Sequence, residues 1–334
     1  MSTVSISRDP SAAVRRSRAD LAVLYEHPQW FAGIFAELER RKIRFDKIFI
    51  PHHFYDVSDK EPGFKVLFNR MSPSADSRER GSGIFHSLAY LEHLELQGVR
   101  VINGSKAFRY EISKAAQHSL LKSLGLAYLP SRVVHSVDQL PAAAEGLRYP
   151  IIVKPNVGGS GKGIVRFDSK QELEAAMAAG WLTLGYDSIA LIQEFVPARG
   201  GFITRVETLG GKYLYGIRVH LSGQTFDLCP ADICQTPTGQ RLDTACAVET
   251  SKAGLKVEGY TPPPDVIGAI ERIARSAGID VGGIEYIVDD RDGLIYYYDI
   301  NALSNFVADA PRLIGFNPVE KLADFLEEAI RRAG

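Results

Sequence analysis

The stretch "IIVKPNVGGSGKGI", Ile151 to Ile164, is an apolar run with a lysine inside it, then four glycines within six residues and a second lysine among them. Glycine lets a backbone approach a ligand closely and aim N–H donors at it. A strand, such a loop and the lysines Lys154 and Lys162 together point to phosphate. Three familiar loops fail here. A P-loop needs GxxxxGK followed by Ser or Thr, yet Gly163 follows Gly161-Lys162 and Asn156 stands where the first glycine belongs. A dinucleotide fingerprint opens a helix, whereas the β-like "IVRF" follows this loop. A nucleophile elbow GxSxG around Ser160 fails because Lys162 takes the last glycine's place. A glycine loop between two strands fits a flexible lid laid over a triphosphate, with Lys154 a point charge on the first strand. A plain glycine-rich hairpin, with Lys154 snorkelling to solvent, is the competing reading.

Outward from this loop, two regions with different patterns emerge. Before it, "LAVLYEH", "FDKIFIP", "KVLFNRM" and "VRVIN" read as strands. They alternate with the helical patterns "QWFAGIFAELERRKI" and "GIFHSLAYLEHLELQG", which predicts a parallel, doubly wound, Rossmann-like domain over residues 18–105. After it come an edge strand "PSRVVHS", the strand "IALIQEFVP", hairpins turned at Gly210-Gly211 and near Asp292, and the helices "DVIGAIERIARSAG" and "NPVEKLADFLEEAIRRA". That is an α+β pattern, divided into a lobe at 106–190 and a second at 191–334. Residues 1–17 read as a mobile tail.

The last hairpin, "GGIEYIVDDRDGLIYYYDINALSN", has a geometric content. A turn centred near Asp292 sets Glu285 opposite Asp299, with Asn301 two residues on and on the same face. Two facing carboxylates repel unless a cation sits between them. Oxygen-only ligands suit Mg²⁺ shared with substrate phosphates. Solvated hairpin acids are the alternative.

Lys114 at a helix start, Lys154 before "GGSGKG", "QEFV", and Glu285 with "DIN" occur in the order seen in ATP-grasp ligases, which residues 106–330 resemble. The branch with glutathione synthetases, α-glutamate ligases and D-alanine ligases is the most similar, and "KVLFNRMSP" resembles its substrate-facing strand. The resemblance implies a Rossmann-like domain followed by a two-lobed ATP-grasp domain. It implies an ATP-dependent ligase joining a small-molecule carboxylate and an amine through an acyl phosphate. Lys114 and Lys154 would bind ATP phosphates, and Gly158, Gly159, Ser160, Gly161 and Gly163 would cap them. Glu194, Phe195 and Val196 would meet adenine through the backbone. Arg218 would stabilise the acyl phosphate, and Glu285, Asp299 and Asn301 would hold two Mg²⁺, with Mn²⁺ as an alternative. Two departures stand out: "ARGGFITR" offers no acid for the ribose, and Ala302-Leu303-Ser304-Asn305 replaces the family's xxPG. A non-catalytic ATP-binding regulator, or a ligase with a thiol or hydroxyl acceptor, stays open.

Composition fits this reading and excludes others. The chain has 334 residues, 45% apolar and 24% charged, with net charge −1, so no basic field recruits nucleic acid. No window approaches ~18 unbroken apolar residues, so no membrane span is expected. Cys229, Cys234 and Cys246 form no CxxC pair, which fits a reducing, cytoplasmic compartment and, for Cys229 and Cys234, ordinary packing. Arg70 and Ser72 are candidates to orient a substrate carboxylate, with a loop-end arginine the equal alternative. His52 and His53 would point apart on an extended segment, a poor chelate. A homo-oligomer stays open.

Overall fold

A computed structural model describes residues 19–59, 61–159, 161–221 and 256–334. The expected tail, Ser160 and all three cysteines lie outside the described residues.

Strands β1 (Leu21–Tyr25), β2 (Phe45–Phe49), β3 (Val66–Arg70) and β4 (Arg100–Ile102) form a parallel sheet in the order β2-β1-β3-β4. Helix α1 (Ala32–Arg40) covers one face and α2 (Ser82–Leu96) the other. The alternation along β1 shows why. Leu21 and Val23 pack with Phe31, Ile34 and Leu38, while Ala22 and Leu24 pack with Ile84, Leu91 and Leu94. A strand buried on both faces reads as an unbroken apolar run, as "LAVLY" does.

Helices α3 (Ser105–Glu111) and α4 (Lys114–Ser123) lead to a small lobe. It contains β5 (Ser131–Val134), α5 (Leu140–Ala144), β6 (Ile151–Pro155), β7 (Val165–Phe167), α6 (Lys170–Ala178) and β8 (Ala190–Glu194). Its antiparallel sheet runs β5-β8-β6-β7, and its core of Val134, Leu140, Val153, Leu173 and Ile192 is its own.

The large lobe holds β9 (Phe202–Leu209), β10 (Lys212–His220), β11 (Val257–Gly259), α7 (Pro264–Ala277), β12 (Val281–Val288), β13 (Ile295–Asn301), α8 (Ala310–Ile314) and α9 (Pro318–Ala333). The sheet order is β11-β10-β9-β12-β13. One face packs on α7 through Ile270 and Ile273; part of the other shares a core with α1 through Ile217, Leu322 and Leu326. Two lobe borders differ from the sequence expectation. Helices α3 and α4 bury Ala107, Leu120 and Leu121 against Val206 and Ile284 of the large sheet, because their apolar stripe matches that face. Strand β8 pairs throughout with β5 and β6, so 191–194 belong with the small sheet. No described helix is long and apolar enough to cross a membrane.

Candidate functional site

A cavity of ≈ 330 Å³ lies between the small and large lobes. The small lobe supplies Ile152, Lys154, Gln193 and the glycine loop; the hinge supplies Glu194, Phe195 and Val196; the large lobe supplies Arg205, Glu285, Asp299 and Asn301. Lys114 lines it from the start of α4.

The floor is a row of charges across three strands. Arg205 on β9 pairs with Glu285 on β12, and Glu285 pairs with Asp299 on β13. Directly opposed residues share a face, so all three side chains converge. Asn301, two residues beyond Asp299, joins them in the cavity wall. The expected carboxylate pair is therefore present in the expected register. The repulsion argument needs correction, because each acid already has a basic partner. Lys114 Nζ donates to Asp299 Oδ1 at 2.7 Å, and Arg205 Nη1 to Glu285 Oε1 at 2.9 Å. Tyr298 Oη donates to Glu285 Oε2 at 2.8 Å. Burial works against the Asp299 carboxylate, yet Lys114 holds it below its ordinary range. Burial pushes Glu285 up against the pull of Arg205.

The position of Lys114 is set by capping. Ser113 Oγ accepts from the Ala116 N–H, which starts α4. Asn156 then ties that start to the end of β6. Its Oδ1 accepts from the Ala115 N–H at 3.0 Å, its carbonyl accepts from the Lys114 N–H at 3.2 Å, and its Nδ2 donates to Asp187. Lys154, 4% exposed on β6, makes no ion pair among the described residues. Burial, then the nearby Lys114 charge, lowers its ammonium to about 7. Such a group is poised to receive an anion.

In the loop after β6, Gly163 has φ +74°, and a Cβ there would meet Pro155 Cγ at 2.9 Å. Only glycine fits this return of the chain. The loop also rests on the parallel domain: Lys162 Nζ donates to Ser77 Oγ at 3.1 Å. At the hinge, the Glu194 and Phe195 N–H groups are taken by the carbonyls of Pro130 and Pro150. Among the described residues no backbone carbonyl takes up the Val196 N–H. The Glu194 carboxylate faces Arg148, accepting from its Nε at 3.0 Å.

Three expected site residues lie elsewhere. Arg218 pairs with Thr204, one step out of phase with Arg205, so strand alternation turns it to the opposite face. It stacks between Tyr260 and Phe202, 3.8 and 4.3 Å from their ring centroids. Arg70, 3% exposed, donates through Nη2 to the Ser304 carbonyl and to Asn305 Oδ1. Ser72 Oγ bonds to Ser74 Oγ and accepts from the Ser74 N–H, holding its own turn. Neither Arg70 nor Ser72 lines the cavity. Sequence reasoning missed Arg205, Asn156 and Gln193. The first depends on pairing between β9 and β12, which are about 80 residues apart and leave no local sequence signal. No group of three or more His, Cys, Asp or Glu side chains placed to hold a metal ion occurs among the described residues.

Over nearly its whole length the chain is similar in structure to the ATP-grasp ligase PsnB complexed with a minimal precursor. The TM-score is 0.62 at 16% identity, covering 93% of this chain and 98% of that one. This is an ATP-grasp fold. Residues 113–195, which carry Lys114, Lys154, the glycine loop and the hinge, match the family model described as the carbamoyl-phosphate synthase L chain, ATP binding domain. A D-alanine--D-alanine ligase of Geobacter sulfurreducens is 32% identical over 107 residues, 32% of this chain and 33% of that protein. A probable alpha-L-glutamate ligase of Thioalkalivibrio sulfidiphilus is 25% identical over 218 residues, 60% of this chain and 70% of that protein. The sequence match thus spans a third of the first relative and rather more of the second. The segment matched by the family model supplies the small-lobe and hinge side of the cavity.

Proposed function

We propose that the protein is an ATP-dependent carboxylate–amine ligase that forms an amide or peptide bond through an acyl phosphate. The observation that carries this reading is the row Arg205–Glu285–Asp299 facing Lys114 and Lys154 in one cavity under a glycine loop. Cations suited to a triphosphate stand beside oxygen ligands suited to a divalent metal. The substrates would be an amino acid or a small peptide; amino acids are named in the D-alanine and glutamate ligase relatives. The site of action would be the cytoplasm.

Each group has a role. The Val196 N–H meets the base at the hinge, between Glu194 and the apolar wall. Lys114 and Lys154 hold phosphates, and Gly158, Gly159, Ser160, Gly161 and Gly163 cover them. Asn301 Nδ2 lies 3.4 Å from the Gly283 carbonyl, which leaves its Oδ1 as a ligand beside the two carboxylates. The donor set fits Mg²⁺, one ion or two, or Mn²⁺; Glu285, Asp299 and Asn301 would hold it, and it would neutralise the transferring phosphoryl.

A substrate carboxylate oxygen attacks the γ-phosphorus, and the bond to ADP breaks with its electron pair going to ADP. Lys154, losing its burial penalty against phosphate, stays charged through this step. The amine nitrogen then attacks the acyl carbon, and phosphate leaves with the C–O electron pair, taking up the proton that the nitrogen sheds. Arg205, anchored by Glu285 and by Glu207 at 2.6 Å, is preorganised to face the developing oxyanion. It takes the role first read for Arg218. The small lobe, with a core of its own, would close over the nucleotide as a unit.

The test is incubation with Mg-ATP and pools of carboxylates and amines. ADP and phosphate in equal amounts with a new amide mass is the expected result. Nucleotide binding without turnover across broad pools would favour a regulator. A thioester or ester product would move the assignment to a thiol or hydroxyl acceptor.

A further inference from the structure

Gly81, the residue before α2, has φ −59° and ψ −36°, an ordinary helical conformation open to any residue. Its missing side chain answers a different need. A Cβ there would stand 2.6 Å from Cε2 and 2.9 Å from Cδ2 of Tyr186, so the tyrosine ring lies on bare backbone. The ring also stacks on Phe85 of α2, with centroids 6.0 Å apart and planes at 20°. Tyr186 comes from the small lobe, in the loop between α6 and β8. Two neighbouring contacts join the same lobe to the parallel domain. Lys162 donates to Ser77, and a Cβ at Gly159 would be 3.5 Å from Ser74 Cβ. The turn that carries Tyr186 is itself tied down. Gly185 closes on Pro155, whose Cβ would be 2.7 Å from a Cβ at Gly185. Asp187 Oδ2 accepts from Asn156 Nδ2 at 2.7 Å, and its Oδ1 from the Ile189 N–H at 3.2 Å. The Asn156 N–H donates to the Ile189 carbonyl at 2.9 Å. Asn156, 5% exposed, is the residue that also holds the start of α4 with Lys114, and it follows Lys154 along the same strand end.

We infer that Tyr186 is a positioning residue for the ligase reaction: docked on Gly81, it clamps the small lobe to the parallel domain and, through Asp187 and Asn156, keeps Lys114 and Lys154 at the spacing a triphosphate needs. The inference rests on the nucleotide reading above and names a residue that serves it from outside the cavity. The small lobe has a core of its own, so its placement depends on the hinge and on contacts such as this one. A lobe that swings carries Lys154 with it, and a displacement of about 1 Å in a reacting geometry costs on the order of 100-fold. The two rings of the dock stay partly exposed, Tyr186 at 41% and Phe85 at 45%, which suits a contact that opens for a ligand and closes behind it. Gly81 is the receiving surface. Backbone conformation alone would admit alanine there; only the ring excludes it. Tyr186 touches no reacting atom.

The experiment pairs hydrogen exchange on the free protein with calorimetry using Mg²⁺ and adenylyl imidodiphosphate, a non-hydrolysable ATP analogue. The proteins are wild type, Gly81→Ala, Tyr186→Ala, the double variant and Tyr186→Phe. Gly81→Ala lies in the parallel domain, yet it should speed exchange of the Asn156, Ile189 and Ala115 amides about tenfold, because their bonds depend on the docked turn. Each single variant should weaken the analogue about tenfold, the loss of a preorganised site. The double variant should be no worse than either single one, because both remove the same contact. Tyr186→Phe keeps the ring and should match wild type. Tyr186→Ala, at a half-exposed position, decides the matter if Gly81→Ala does not fold. If the folded variants exchange and bind as wild type does, or if the two substitutions add, the assignment of Tyr186 is overturned while nucleotide binding stands. If wild type does not bind the analogue, the nucleotide reading itself falls and this inference with it.

Discussion

Asn305 Oδ1 accepts a hydrogen bond from Arg70 Nη2 at 2.8 Å, joining the end of β3 to the loop after β13 across 235 residues of chain. The same nitrogen bonds the Ser304 carbonyl, and the guanidinium lies over the Phe31 and Phe68 rings at 5.0 and 5.1 Å. Two features that looked separate in the sequence, a loop-end arginine and an unusual Ser304-Asn305, are one contact. It locks the parallel domain onto the large lobe. Arg70→Met should therefore lower stability by ~2 kcal/mol or more, because buried acceptors lose their donor. Urea unfolding measures it; an unchanged midpoint would mean that the contact is incidental.

Lys154 should report nucleotide binding through protons. Its ammonium is held near 7 by burial, against 10.5 ordinarily. A bound phosphate raises it again, so binding at pH 8 to 9 should take up as much as ~1 proton. Calorimetry in buffers of different ionisation enthalpy detects this, and Lys154→Met should abolish both the uptake and most of the affinity. In the nucleotide-free protein the native state binds fewer protons than the unfolded chain between about pH 7 and 10.5. Stability owed to this group therefore rises across that window, and Lys154→Met should remove the slope.

Glu111 gives the opposite sign. It accepts from the N–H groups of Ala302 and Leu303. Burial, then Asp299, raises its carboxyl to about 7 from 4.5. A raised folded pKa means stability present below the unfolded value and lost as pH climbs through 7. Glu111→Gln should flatten that loss, worth as much as ~3 kcal/mol. Denaturant midpoints from pH 4 to 8 test it; parallel profiles for variant and wild type would contradict it.

Asp299→Asn and Glu285→Gln remove charge at near-constant shape. Each should cost a factor of about 100 or more in turnover, ~3 kcal/mol of transition-state stabilisation. Nucleotide affinity in Mg²⁺ should fall, but much less in EDTA. Turnover that survives full chelation would remove the metal from the mechanism.

The two arginines of the β9–β10 hairpin should separate cleanly. Arg205→Lys keeps a charge but not the fork that spans Glu207 and Glu285, and should lose about 100-fold in turnover. Arg218→Ala, on the other face, should stay within about threefold of wild type and act mainly on stability through its lost stacking. Equal losses would return Arg218 to the chemistry.

The sequence by itself determined whatever depends on short-range rules. Alternation of β and α patterns implied the doubly wound first domain, and burial of both faces of β1 bears it out. The Ser113 cap, the β6–loop–β7 hairpin and the Glu285–Asp299 register were legible because caps, turns and hairpin pairing are local. Tertiary structure alone decided which charges meet. Only the β9–β12 pairing puts Arg205 in the row, and only strand phase takes Arg218 out of it. Asn156 binding to the start of α4 fixes the spacing of the two lysines. Arg70 meets Asn305 only because one core spans α1 and the large lobe. Long-range pairing leaves no periodic trace in a chain; it is fixed when faces that could pack in several ways find the one arrangement that buries them all.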